Sequence, residues 1–164
     1  MRVFSLSMTV LLALAANGRA EELPPVAPGD WSMYNLNVLG WRYNSAEKSL
    51  SPANAGKLEE KWRFPRKDSK EFVGAIHATP IVVNGHVYFG TMVKPAFYKL
   101  KPNGKVAWKH DRNLAAPLEA AQSYTTPLIL RQGKRETLIV LGADHVTAHD
   151  VTTCLLYTSP SPRD

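Results

Sequence analysis

Beyond Ala78 the chain is written in short β-rich runs broken by turn residues, and no stretch there keeps a helical period. Ile81, Val82 and Val83 run into Asn84 and Gly85, and His86, Val87, Tyr88 and Phe89 run out. Asn-Gly is the pair that best tolerates positive φ at both central positions of a tight turn, so these residues predict a hairpin. A second hairpin follows, with Phe97, Tyr98 and Leu100 on one side, Asn103 and Gly104 at the turn, and Val106 and Trp108 on the other. Four strands joined in sequence by tight turns predict one small antiparallel sheet. Upstream, Ser51 before Pro52 predicts the cap and first position of a short helix ending at Gly56. Residues 21–29, EELPPVAPG, hold three prolines and no apolar period, which predicts an extended lead-in. Between lead-in and strands, Trp31, Tyr34, Trp41, Tyr43 and Trp62 concentrate aromatic surface that is expected to bury large areas on folding.

The predicted sheet begins to repeat. ATPIVVNGHVYFGT, from Ala78, has a counterpart in TTPLILRQGKRETLIVLGAD, from Thr125, with a slightly longer turn expected around Gln132 and Gly133. Pro80 and Pro127 lie 47 positions apart, and a second marker, Gly56-Lys57-Leu58 with Trp62 against Gly104-Lys105-Val106 with Trp108, returns at 48. A period of about 40–50 residues with four strands per unit is the signature of propeller blades. The fold class expected is therefore all-β, an incomplete β-propeller of four-stranded antiparallel blades, with residues 30–153 holding two to three of them. An antiparallel sandwich also has evenly spaced short strands, but it does not return a Gly-Lys-x-Trp tail and a Thr-Pro strand start at one shared offset. Each blade leaves its faces wet unless flanked, so ring closure is expected to need residues beyond Thr153.

The two ends change the composition. Residues 1–20 carry Arg2, an uncharged and mostly apolar run over 3–16, and small residues at Gly18 and Ala20, which predicts a secretory signal cleaved after Ala20. The run is shorter than the roughly 20 residues a membrane span needs, and no cysteine stands where a lipid anchor would attach. A periplasmic or secreted location, with no transmembrane anchor after cleavage, is the expectation. At the other end, residues 154–164, CLLYTSPSPRD, have no hydrophobic period. They resemble a translated transposase-type sequencing adaptor, whose nucleotides encode that string without a mismatch, and are expected to be non-native. Without both ends the net charge falls from +6 to about +4, too mild and scattered to argue for nucleic acid. The sole cysteine, Cys154, goes as well, so no disulfide or thiol nucleophile is expected in the remainder.

With those residues set out, the chain resembles the pyrroloquinoline quinone (PQQ)-type β-propeller repeat proteins of the quinoprotein dehydrogenase-like superfamily. DWSMYNLNVLGWRYN is similar to the family's opening segment, with an Asp-Trp pair ahead of Tyr-rich sequence and the pair Arg42-Tyr43. SPANAGKLEEKWRF resembles its Asn-x-Gly-Lys-Leu-x-x-x-Trp continuation, and HATPIVVNGHVYFGT and NGKVAWK resemble the first and last strands of a blade. The resemblance implies an oxidoreductase acting on alcohols or sugars with PQQ and calcium. It also implies that the residue just before Ala-Thr-Pro touches the quinone. That position is a glutamate in catalytic members and His77 here, which makes His77 the candidate cofactor-binding residue, although an imidazole cannot supply a carboxylate's fixed charge. The adjacent cysteine pair of many alcohol-oxidising members has no counterpart in AAQSYTTP, residues 120–127. No catalytic residue can be assigned. A non-catalytic propeller that binds a protein or a glycan therefore stands beside the enzyme reading.

Other residues carry weaker signals. Trp62 and Trp108 are expected to wedge between blades rather than to do chemistry. His145 and His149, four apart in strand-like sequence, share a face but lie far apart, and no metal site is expected from them or from His77, His86 and His110. Asp144 and Asp150 are expected to shape turns. Arg63, Arg66, Lys67 and Lys70 read as a solvated loop, and phosphate-loop and serine-nucleophile motifs are absent.

Overall fold

The computed structural model describes residues 26–112, 114, 124–143 and 145–156. The expected signal segment, most of the lead-in, residues 120–123, Asp144 and residues 157–164 lie outside the described residues. Among the described residues seven strands form two antiparallel sheets. The first contains β1 (Ile81–Val83), β2 (His86–Gly90), β3 (Ala96–Leu100) and β4 (Val106–Asp111) in sequence order; the second contains β5 (Leu128–Gln132), β6 (Arg135–Gly142) and β7 (His145–Asp150). The all-β class and the division into successive sheets at the predicted places follow the sequence. The second sheet has three strands among the described residues, with Leu156 bridging to His149 beside β7.

The first hairpin closes as its residues require. Val83 pairs with His86, and the two residues between them hold φ of 51° at Asn84 and 70° at Gly85, a conformation that other pairs adopt only with strain. Asp30, 6% exposed, receives the Asn84 backbone N–H on Oδ1 at 2.9 Å. Trp31 exchanges backbone hydrogen bonds of 2.7 and 2.8 Å with Val82, so the Asp-Trp pair seals the open edge of β1. In the second hairpin Gly104, at φ 76°, donates to the Lys101 carbonyl at 2.9 Å, and the strands shift register between Lys99 and Leu100.

Alternation along the strands sorts the core. One face of the first sheet presents Ile81, Val83, Tyr88 and Phe97, which pack against Leu138, Val140 and Val151 of the second, with Trp108 and Ile129 at the margin. The opposite face presents Phe89, Ala96, Tyr98 and Leu100, covered by Val73, Trp62 and Phe64. Phe89 and Tyr98, paired across β2 and β3, stack at 5.2 Å, and Phe64 meets both rings at 5.7 and 5.5 Å. Removing a large apolar side chain of this kind from water stabilises by roughly 1.5–3 kcal/mol each.

The two tryptophans repeat one docking contact. Trp62 Nε1 donates to the Pro102 carbonyl at 2.9 Å, and Trp108 Nε1 donates to the Val151 carbonyl at 3.1 Å. Pro102 follows β3 and Val151 follows β7, so each indole reaches the turn after the third strand of a sheet, and Trp108 does so from the other sheet. Trp108 thus takes the wedge role expected of it, while Trp62 makes the matching contact from a stretch that forms no strand among the described residues. Lys99, buried and placed 5.5 Å over the Tyr88 ring, also donates to Val151, at 2.8 Å. Burial lowers its pKa, while Glu136 and Asp150 oppose the shift.

Three expectations need correction. The stretch after Ser51 forms a turn and then a three-residue 3-10 helix, Ala55–Lys57, that buries no side chain. With no apolar face to pack, nothing extends it, and the Asn54 side chain rather than Ser51 organises the turn, bonding Ser51 N–H at 2.8 Å and the Ser49 carbonyl at 2.7 Å. The turn in the second unit is not longer than the first, since Gln132 pairs directly with Arg135; the extra residues lengthen β6 instead. Finally, Tyr34, Trp41 and Tyr43 are 55%, 58% and 63% exposed. Left-handed backbone at Asn35, Leu36 and Arg42 coils this segment into turns that bury Leu36 and leave the rings outside.

Candidate functional site

His77 lies in the irregular stretch that leads into β1, with its side chain exposed. Its ring meets the Tyr124 ring edge-on, with centroids 6.0 Å apart and planes at 64°. Tyr124 stands just before Thr-Thr-Pro as His77 stands before Ala-Thr-Pro, and the two are 47 positions apart, the same offset as Pro80 and Pro127. The repeat thus brings two equivalent positions of successive sheets together at one end of the strands, with Tyr124 54% exposed. Thr125 Oγ1 donates to the Leu141 carbonyl at 2.7 Å, which ties the Tyr124 segment to the end of β6.

The segment that leads to His77 is held backbone to backbone. Met92 N–H donates to the Ala75 carbonyl at 2.8 Å, joining the lead into β1 to the loop between β2 and β3. Gly74, at φ 87°, passes so close that a Cβ there would sit 2.2 Å from the Met92 carbonyl oxygen. The loop itself is anchored by buried Thr91, whose Oγ1 donates to the Lys94 carbonyl at 2.8 Å and receives the Ala96 N–H at 3.1 Å. Val93 holds φ 70° with Lys94 N–H bonded to the Met92 carbonyl at 2.8 Å, a tight and costly turn for a β-branched residue. Two exposed rings that meet edge-on can hold a ligand by ring contact and hydrogen bonding.

A second cluster lies in the seam between the sheets. Trp108, His110 and Arg112 alternate along one face of β4 and its continuation, facing β7. The His110 and His149 rings meet edge-on with centroids 4.9 Å apart, and Arg112 Nη2 donates to the Gly142 carbonyl at 3.0 Å. His149 is fully buried with the Cys154 backbone at its ring, and Arg112 Nε has no hydrogen-bond partner among the described residues. Burial first, then the positive tendency of His110, holds the His149 pKa below its ordinary value; the Cys154 backbone opposes and Arg112 reinforces that shift. The sequence reading did not bring His110 and His149 together. The signal was present in the alternation, because Trp108 marks the seam-facing side and the residue two further on must share it. His145, at the start of β7, sits with Nδ1 against the Ala143 carbonyl. Asp150 shapes its turn as expected, receiving the N–H groups of Thr152 and Thr153 at 2.9 and 2.7 Å. Arg63 pairs with Glu60 at 2.6 Å on the surface, and Arg66, Lys67 and Lys70 are exposed, in keeping with a solvated loop.

Comparison with known proteins agrees with this architecture. The PQQ family profile, described as glucose/ethanol/alcohol dehydrogenase, beta-propeller domain, matches residues 31–149. The quinoprotein glucose dehydrogenase of Escherichia coli (strain K12) is 34% identical over 99 residues, which cover 58% of this chain and 12% of that relative.

Proposed function

The chain belongs to the PQQ family of glucose/ethanol/alcohol dehydrogenase β-propeller domains, and from that premise we propose that it is part of an exported quinoprotein that oxidises an alcohol or a sugar. The observation that carries this reading is the meeting of His77 and Tyr124, equivalent positions of successive sheets, at one strand end. An imidazole and a phenol with exposed edges suit a planar quinone bearing carboxylate and carbonyl oxygens, so His77 and Tyr124 are the residues assigned to hold PQQ. The quinone, when bound, supplies the two-electron chemistry; this chain's residues position it and exclude water from one side. His77 offers hydrogen bonds but no fixed negative charge, so the calcium ligands are assigned to other parts of the protein. Export rests on residues 1–20, and no helix among the described residues is long and apolar enough to cross a membrane.

A second reading has its own support: a non-catalytic propeller that binds a protein or a glycan. His77 stands where catalytic members are expected to carry glutamate, and the exposed rings of Tyr34, Trp41 and Tyr43 are of the kind that stack on sugars.

One experiment separates the readings. The complete gene product is incubated with PQQ and calcium, and quinone retention and dye-linked reduction are followed over a panel of alcohols and aldoses. The enzyme reading expects both signals, with His77→Ala weakening retention about tenfold, the loss of roughly one good hydrogen bond. Neither retention nor reduction leaves the binding propeller in possession.

A further inference from the structure

Two successive docking contacts follow one pattern and differ at one position. Trp62-x-Phe64 docks on the first sheet and Trp108-x-His110 on the second, each tryptophan bonding a carbonyl after a third strand. In the first contact the residue two beyond the tryptophan is Phe64, set between the rings of Phe89 and Tyr98. In the second it is His110, half-buried, whose ring meets the His149 ring edge-on with centroids 4.9 Å apart. His149 is 0% exposed, and Leu138 stands opposite it on β6. The groups that act on its ring are His110 and Arg112 from β4, which disfavour a charge there, and the Cys154 backbone, which favours one. Arg112 is itself buried, with Nη2 on the Gly142 carbonyl at 3.0 Å. The other charged groups of the seam are engaged elsewhere: Asp150 with the N–H groups of Thr152 and Thr153, Glu136 with Arg131, and Lys99 with the Val151 carbonyl. His145 sits at the Ala143 carbonyl. A proton on His149 would therefore lie in a buried seam facing a guanidinium and a second imidazole, with no carboxylate acting on it among the described residues.

We propose that the His110–His149 contact is an acid-operated latch between the sheets, closed while both imidazoles are neutral and released when they take up protons from solvent. The sign follows from the surroundings. Burial first, then His110, holds His149 below its ordinary value, so an opened seam binds the proton more tightly than the closed one. Closure is at full strength above the free imidazole's pKa of about 6.5 and weakens as the pH falls below it. Each linked proton raises the open fraction by up to about tenfold per pH unit in that range. The element released is β7 with the turn at Val151, because Trp108, two residues before His110, makes the next contact along the same seam. Phe64, at the matching position, has nothing to protonate, so the first docking contact is indifferent to acid. Cys154 belongs to the stretch expected to be adaptor-derived; its backbone favours the charged ring and so opposes the latch, which rests on His110, His149 and Arg112.

The test follows amide exchange of the complete gene product by mass spectrometry, corrected for the intrinsic rate, from about pH 7.5 to about pH 5, across the range where histidine titrates. Opening of β7 and Val151 is expected to rise by about tenfold or more, with β1 and β2 little changed. The double variant His110→Phe, His149→Leu gives the second contact the apolar character of the first and should lose the dependence on pH. His145→Gln, which removes the neighbouring imidazole, should keep it. A double variant that retains the full dependence, or a His145→Gln variant that loses it, overturns the latch. The unaltered protein supplies an independent reading if the double variant does not fold: exchange of the imidazole C2 hydrogen, followed for each histidine, gives its midpoint. His149 should titrate below a free imidazole, and a midpoint at or above about 6.5 overturns the latch.

Discussion

Alanine at position 74 is expected to lower the stability of the chain by about 3 kcal/mol, enough to leave a marginal fold largely open. Two penalties combine. Gly74 sits at φ 87°, where an L side chain costs about 1–2 kcal/mol. The added Cβ would also lie 2.2 Å from the Met92 carbonyl oxygen, and that atom is backbone, so no rotamer change relieves the contact. Either Gly74 or the loop between β2 and β3 must move, which strains the Met92–Ala75 hydrogen bond. Gly56 provides the comparison, because a Cβ there meets nothing within 4 Å and its φ is not positive. Urea unfolding followed by tryptophan fluorescence should show Gly74→Ala with a much lower midpoint and Gly56→Ala near the parent. Equal midpoints for the two would refute the close approach.

That contrast also marks how far sequence pattern carried. The Asn84-Gly85 hairpin was legible because its chemistry is local: two adjacent residues that accept positive φ, flanked by β-rich runs. The repeat was legible because Pro80 and Pro127, and Trp62 and Trp108, return at nearly one spacing. From the first of these spacings the equivalence of His77 and Tyr124 could also have been read. What could not be read was Gly74, whose role depends on a carbonyl 18 positions away in sequence. Alternation put His110 on the Trp108 side of β4, but which residue of β7 it would meet depends on how two sheets pair, fixed where Trp108 bonds Val151. Composition misled for Tyr34, Trp41 and Tyr43, since ring size measures how much area could be buried, while the left-handed turns at Asn35, Leu36 and Arg42 decide where the rings point. The short helix after Ser51 failed for a related reason: cap residues were present, but no apolar face was.

Trp108→Ala is expected to separate the sheets more than it damages either one. The indole is half-buried, packs against the shared core, meets the Tyr88 ring of its own sheet at 6.2 Å, and bonds the Val151 carbonyl, so truncation should cost about 3 kcal/mol, shared between the seam and the Tyr88 contact. Trp108→Phe retains most of the ring packing and loses the N–H donor, and because Lys99 still reaches Val151, its cost should stay near 1 kcal/mol. The β1–β2 and β2–β3 hydrogen bonds are made within the first sheet and do not pass through Trp108. Amide exchange should therefore speed up most in β7 and at Val151 in Trp108→Ala, with β2, touched only through the Tyr88 ring, changed less. If β2 and β7 lose protection together and by the same factor, the two sheets open as one unit and the indole is not their coupling. If β7 alone opens, each sheet is a separate folding unit that depends on its neighbour through this contact, which is the behaviour a stack of blades requires.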